Sequence, residues 1–230
     1  MGLLAVLMEK DSALLPGNLK IVSWNYDLQM DHAVAMYKGL PNIEELSKRK
    51  ELGFAPKLDG SAWNDGEFPS IIRLNGVAGL GRVGQKHHVI SGPMKCLEDD
   101  NFAFIQHLFE LYQSYDQGAP DVMYSAVETL TFAWEETTMA KESIGFAMRA
   151  FKEAQTLVII GYSFPSFNRK LDKLLYREFR RNAGLHKSVV VQNRALTPET
   201  FKQLMGQAEG GPVVVNEINL DQFYIPSQLF

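Results

Sequence analysis

The sequence predicts an α/β fold, a parallel sheet flanked by helices and interrupted by a helical insertion. Three observations predict it. Residues 21–27 and 158–164 each hold an apolar, β-branched run that ends abruptly in small or polar residues, as buried parallel strands do where they open into loops. Strand-like and helix-like segments alternate from 156 to 215 at lengths that suit parallel, right-handed βαβ crossovers. Between them, residues 97–151 change character, becoming rich in Phe, Tyr, Met and Glu with helical periodicity and few breakers.

Taken in order, residues 2–15 read as a helix with one apolar side, ended by Pro16 and Gly17. Its apolar start runs into Glu9, Lys10 and Asp11. That is far short of the roughly 20 residues of a membrane span, and the positive n-region of a secretory signal is missing. Strand 19–24 leads into a helix around 28–37. Asp27 sits at its amino end, where free backbone N–H groups favour a carboxylate, so a capping role stands beside a functional one. From 40 to 68 the chain is polar and broken by Pro41, Gly53, Pro56, Gly60 and Gly66, which predicts a short helix over 43–52 and then loop. Residues 69–76 read as a second strand ending in Asn75-Gly76.

Gly79, Gly81 and Gly84 match Gly-x-Gly-x-x-Gly. No amphipathic helix follows, since 85–93 reads as another short strand and turn, and the match is therefore a weak dinucleotide fingerprint. His87 and His88 are neighbours in that strand and face opposite ways, which disfavours one metal bound by both. In the insertion, helices are expected over 102–115, 122–136 and 141–152. Phe102, Ile105, Leu108, Phe109 and Tyr112 form a packing stripe, with His107 structural. Strand 156–160 is followed by a helix over 168–182, apolar at Leu171, Leu174, Leu175 and Phe179, basic at Arg169, Lys173, Arg177 and Arg180, and stopped by Ala183-Gly184. Strand 188–192 ends in Asn193, Thr197 caps a helix over 198–206, and 212–215 supplies a last strand. The organisation expected is an amino-terminal helix, 1–18, and one α/β domain, 19–230, with its insertion at about 97–151.

With 230 residues, 46% hydrophobic and 22% charged, the chain can bury a core of useful size. A net charge of −4 argues against a broad basic face for nucleic acid; Arg177, Arg180, Arg181 and Lys187 read as a solvated helix face rather than a local patch. The single Cys96 excludes an intrachain disulfide and a zinc site built on several cysteines. A cytoplasmic setting, no membrane and no metal are expected.

The carboxyl ends of parallel strands are where α/β sheets bind ligands. Asn25 and Asp27 after one strand, and Gly161-Tyr162-Ser163 after another, would line such a crevice with convergent polar groups of the kind a nucleotide needs. Ser23-Trp24-Asn25-Tyr26-Asp27, Arg73-Leu74-Asn75-Gly76, Ile160-Gly161-Tyr162-Ser163-Phe164-Pro165 and Val190-Val191-Gln192-Asn193, in this order, resemble the bacterial sirtuin-like domain family, a Rossmann-type NAD-binding fold. The resemblance runs from 19 to about 219 and leaves 97–151 outside any motif. The family includes deacylases and, among bacterial members, NAD-degrading effectors of antiphage defence.

The resemblance implies roles position by position. Asn25 and Asp27 fall where the family contacts the nicotinamide side of NAD and orders its ribose. Gly161 and Ser163 fall on the loop approaching the phosphates and adenosine ribose, and Asn193 falls where an Asn meets that ribose. Asn25, Asp27 and Asn75 are thus the candidate catalytic residues, and Gly76, Gly161, Ser163 and Asn193 the candidate cofactor-binding ones. The implied chemistry is cleavage of the nicotinamide N-glycosidic bond through an oxocarbenium-like centre, driven mainly by electrostatic positioning.

Three departures from the family accompany it. Asn75 stands where family enzymes carry the His of a His-Gly pair, and an amide cannot take a proton at neutral pH. No glycine-rich phosphate loop precedes Trp24, which removes the main anion site for a pyrophosphate. No four-cysteine zinc ribbon is present, which makes protein deacylation the least expected activity. Three readings stay open: an NAD glycohydrolase in which another group, such as His87 or His88, replaces the base; a degenerate module that binds a nucleotide or a protein; and a structural domain in which Asn25 and Asp27 are caps. Either a second copy or a partner subunit completes the sheet edge, or the chain binds something smaller than NAD.

Overall fold

A computed structural model of the chain describes residues 7–8, 15–41, 43–47, 53–57, 62–77, 80–83, 86–89, 132, 135, 137–181, 187–194, 196–206, 213–216 and 224–225. In chain order these give β1 (Ile21–Ser23), α1 (Gln29–Tyr37), α2 (Ile43–Ser47), β2 (Phe54–Ala55), β3 (Ile71–Arg73), β4 (Leu80–Val83), β5 (Lys86–Val89), α3 (Thr138–Glu153), β6 (Thr156–Ile160), α4 (Arg169–Arg180), β7 (Ser188–Gln192), α5 (Pro198–Met205) and β8 (Val213–Asn216). The chain is α/β, and it divides into two compact units, residues 1–15 with 21–143 and residues 16–20 with 144–230. The expected helix at 102–115, most of those at 122–136 and 2–15, and the helix stop at 183–184 lie outside the described residues; Phe132 and Glu135, which are described, are not helical, so the second of these does not run to 136.

In the first unit three short strands run parallel in the order β1-β3-β2. Ile21 pairs with Ile71 and Ser23 with Arg73 on one side of β3, and Phe54 pairs with Ile71 on the other. The central strand is wholly buried at Ile71, Ile72 and Arg73, as a parallel strand covered on both faces must be. β2 was read as loop in the sequence; Gly53 supplies the bonds that dock the start of β3, its carbonyl accepting from the N–H groups of Ser70 and Ile71. A side chain at Gly53 would meet the Pro69 backbone at 3.0 Å and the Trp63 ring at 3.2 Å, so glycine is required for that close approach. Around α1 and α2, Leu28, Ala35, Ile43 and Val77 form a small apolar cluster.

β4 and β5 pair antiparallel, Leu80 with Val89 and Val83 with Lys86, leaving two residues between them. Gly81 of the Gly-x-Gly-x-x-Gly match therefore lies in a strand paired antiparallel with β5, not at a strand-to-helix turn, while Gly79 and Gly84 lie outside the described residues. His87 and His88 are consecutive residues of β5.

The second unit is the regular one. β6, β7 and β8 run parallel in sequential order, with Thr156 opposite Ser188 and Ser188 opposite Val213. Val189 and Val191 of β7 pack with Tyr176 and Phe179 of α4 and with Phe201 and Met205 of α5. Both connecting helices thus lie on one face, as two crossovers of the same hand require. The core is aromatic, with Phe164 edge-on to Phe201 at 5.6 Å and Tyr176 edge-on to Phe201 at 5.2 Å. Each fully buried ring contributes about 1.5–3 kcal/mol of transfer free energy.

The helix ends in this unit follow sequence chemistry. The Thr197 hydroxyl accepts from Thr200 N–H at 3.2 Å to start α5, and Gly206 closes it at φ 62°. α4 runs to Arg180, with Arg181 as its carboxyl cap. α3 buries Ala140, Ser143, Ala147 and Ala150, a face of small residues at helical spacing. No described helix is long and apolar enough to cross a membrane.

Candidate functional site

The sequence-selected residues fall into two groups, each at the carboxyl ends of adjacent parallel strands within one unit. In the first unit these are Asn25, Asp27, Asn75 and Gly76, beyond β1 and β3. Asn25 is exposed, and its N–H donates to Ser23 Oγ at 3.0 Å, which turns the chain out of β1. Asp27 Oδ1 accepts the N–H of Gln29, the first residue of α1, at 3.1 Å. The capping alternative therefore describes what its carboxylate does, from one residue further out than a conventional N-cap, since Leu28 holds that place without a side-chain bond. Asn75 is 9% exposed and its Nδ2 donates to the Trp24 carbonyl at 2.7 Å. Leu74 N–H donates to the Ser23 carbonyl at 2.9 Å. Together these bonds fasten the end of β3 to the end of β1 and place Asn25 and Asn75 in one neighbourhood. Gly76 turns the chain there at φ 67°.

Beneath this edge lies a pair the sequence reading missed. Arg73, the last residue of β3, is 1% exposed and ion-paired through Nη2 to Asp31 Oδ2 in the first turn of α1. Its guanidinium also lies 5.1 Å from the centre of the Phe54 ring of β2. Burial pushes the Asp31 carboxyl up, and Arg73 opposes that shift. The signal was an Arg closing the apolar run Ile71-Ile72, with no water-facing side for it. This pair locks α1, β2 and β3 together and thereby holds the strand ends that carry Asn25 and Asn75.

In the second unit the loop between β6 and α4 and the end of β7 come together. Gly161 turns out of β6 at φ 64° and its N–H donates to the Gln192 carbonyl at 3.0 Å. Asn193 Nδ2 donates to the Tyr162 carbonyl at 2.7 Å. Ser163 is exposed at the loop tip. Gly161 and Asn193 are thus brought together, each fastening this loop to the end of β7.

The same loop holds a polar cluster that the sequence reading also missed. The Tyr162 hydroxyl donates to Asp172 of α4, with Oδ1 at 3.0 Å and Oδ2 at 3.2 Å, and accepts from Asn168 Nδ2 at 3.0 Å. Arg169 Nη2 donates to the Phe164 carbonyl at 2.9 Å. Burial pushes the Asp172 carboxyl up to about 7, with the Tyr162 bond and Arg169 pulling the other way. Burial and then Asp172 push the Tyr162 hydroxyl upward too, so it stays protonated. Asp172 lies three residues before Leu175 and seven before Phe179, on the buried side of α4. A carboxylate on an apolar stripe was the available signal.

At the carboxyl cap of α4, Arg181 is exposed and paired with Glu178 at 3.1 Å. Lys187 is not part of a solvated face. It is buried, donates to the Lys152 carbonyl at 2.9 Å and lies 4.7 Å above the Phe179 ring. Among the described residues no group of three His, Cys, Asp or Glu side chains is placed to hold a metal.

Comparisons with protein-family models, with curated proteins and with solved structures gave no match. What bears on function is therefore the geometry of the two strand-end groups.

Proposed function

We propose that this chain is a sirtuin-like, Rossmann-type protein that binds NAD at its strand ends. The observation that supports it is the clustering of Asn25 with Asn75, and of Gly161 with Asn193, at the carboxyl ends of neighbouring parallel strands, the edge where α/β sheets take nucleotides. On this reading the resemblance assigns Asn25, Asp27 and Asn75 to a nicotinamide-side ribose, Gly76 to cofactor binding, and Gly161, Ser163 and Asn193 to phosphate and adenosine contacts, each group being a strand-end cluster of its own unit. Cleavage of the nicotinamide glycosidic bond, and with it a role in antiphage defence, follows from the family resemblance alone.

One observation favours a non-catalytic version of the same reading. Asn75 Nδ2 and Asp27 Oδ1 are each engaged by backbone groups, and the amide at 75 cannot take a proton from a ribose or water. The test is release of free nicotinamide from NAD by concentrated protein, followed by proton NMR over hours, beside the NAD-dependent rise in melting temperature. Release that disappears in Asp27→Ala, with the circular dichroism of that variant unchanged, supports the glycohydrolase. A thermal shift without release supports the binding module. Neither release nor shift overturns the NAD reading.

A further inference from the structure

The Tyr162 cluster serves no step of the reading above, and its geometry has its own logic. Asp172 is 5% exposed, yet both of its carboxylate oxygens share one donor, the Tyr162 hydroxyl. A buried carboxylate ordinarily gathers two or three donors. At the other end of the chain of bonds, Asn168 is 4% exposed and its Oδ1 has no hydrogen-bond partner among the described residues. An acceptor lacks a donor at one end, and an anion lacks donors at the other. The bonds run Asn168 Nδ2 to Tyr162 Oη to Asp172.

We propose that Asp172, Tyr162 and Asn168 form a proton-operated latch on the loop between β6 and α4, in which uptake of one proton by Asp172 reverses this chain of hydrogen bonds. The neutral acid donates its new O–H to Tyr162 Oη. The hydroxyl then turns its own proton away from Asp172 toward Asn168, whose amide rotates to present Oδ1. Each bond keeps one donor and one acceptor, and the only atom added is the proton taken from solvent. The buried charge disappears, and the Asn168 amide exchanges its Nδ2 bond to Tyr162 for one accepted at Oδ1.

The groups that face Asp172 are Arg169, one turn back on the same helix, and Tyr162 from the loop. From the end of β7 the neutral amide of Asn193 reaches the cluster through the Tyr162 carbonyl. Arg169 stays charged throughout, so Asp172 is the group that changes state. Burial placing its carboxyl at about 7 sets the range in which the latch operates. A carboxyl raised in the folded state favours the folded arrangement below its ordinary range, and that advantage is lost as pH rises through about 7.

Its motion has a defined reach. Tyr162 lies between Gly161, bonded to the Gln192 carbonyl, and Ser163 at the exposed tip. Phe164 is held at φ 53°, outside the usual range for a residue with a side chain, and Arg169 fixes its carbonyl. A loop so clamped changes as a unit when its central bond reverses. The latch stands whether or not the loop binds a nucleotide.

The test is solution NMR on the full chain between pH 5 and 8.5, following the Asp172 carboxyl carbon, the side-chain amides of Asn168 and Asn193, and amide exchange over 161–168. The Asp172 carbon is expected to titrate with a midpoint near 7, the two amides to move with the same midpoint, and protection of the loop to fall as pH rises through it. Asp172→Asn, a neutral isostere, is expected to leave amides and protection flat. If that variant does not fold, Tyr162→Phe serves: Asp172 still titrates, but the Asn193 amide no longer follows. A midpoint in the ordinary carboxylate range, loop signals that ignore Asp172, or an Asn193 amide that still follows it in Tyr162→Phe would overturn the latch.

Discussion

The two three-stranded parallel sheets differ in what holds them. In β1-β3-β2 the strands are two or three residues long, and the central one carries a buried arginine whose partners are an aspartate on α1 and a phenylalanine ring on β2. In β6-β7-β8 the strands are four or five residues long, and the core beneath them is built of Val189, Val191, Tyr176, Phe179 and Phe201. Short strands supply few ladder bonds, so the first sheet depends on specific polar clamps: Arg73 to Asp31 and Asn75 to the Trp24 carbonyl. The second depends on apolar area and tolerates approximation. A charged pair contributes only when complete, whereas apolar packing degrades by increments.

That contrast can be broken most directly at Arg73. Arg73→Met is expected to cost about 3–5 kcal/mol, because it leaves Asp31 buried without its partner. Adding Asp31→Leu should restore most of the loss. Trp24 and Trp63 belong to the first unit, so tryptophan fluorescence during urea unfolding, in a Trp134→Phe background, reads that unit. A single variant costing under about 1 kcal/mol would show that the pair does not hold the sheet.

Phe201→Ala in the second unit is expected to cost about 3 kcal/mol or more through the cavity it leaves. It should lower protection of β7 amides with no second-site charge change able to repair it. A full rescue by repairing charges elsewhere would erase the distinction between the sheets.

A pair of glycines sharpens the comparison at smaller scale. Gly161→Ala is expected to destabilise by about 1–2 kcal/mol, since a side chain at φ 64° is strained even in open space. Gly145→Ala, inside α3 with nothing within 4 Å of the added carbon, should stabilise by about 0.5–1 kcal/mol. Thermal melts of both variants check the signs.

The smallest effect is expected at Asp27. Its bond to Gln29 N–H is exposed, so Asp27→Ala should cost about 0.5–1 kcal/mol in chemical denaturation. A loss of several kcal/mol would mean that the carboxylate does more for the fold than start α1.

The sequence was most legible where local rules and tertiary structure agree. Strands 156–160 and 188–192 appear at the expected residues, because long β-branched runs, an amphipathic α4 and the Thr197 and Gly206 caps all point one way. The first unit resisted reading. β2 is two residues between breakers, and β4 is a glycine-containing segment that only its partner β5 makes a strand. At the candidate site, the side chains that set the geometry are Arg73, Asp31, Tyr162 and Asp172, whose types suggest surface or solvent. Their placement follows from what they meet across the fold, 42 residues away for Arg73 and Asp31, and no window of sequence contains that.

Phe164 joins two demands that usually fall on different residues. Its backbone sits at φ 53° and its ring is buried between Tyr162 and Phe201. The backbone favours Gly, Asn or Asp, which cannot fill the core, and the core needs a large apolar ring, which the backbone disfavours. Substitution at this position therefore has almost no neutral path. A saturation library scored for folded protein should find position 164 among the least permissive in the second unit, well below Phe179 or Met205, where the backbone is helical and other large apolar residues fit.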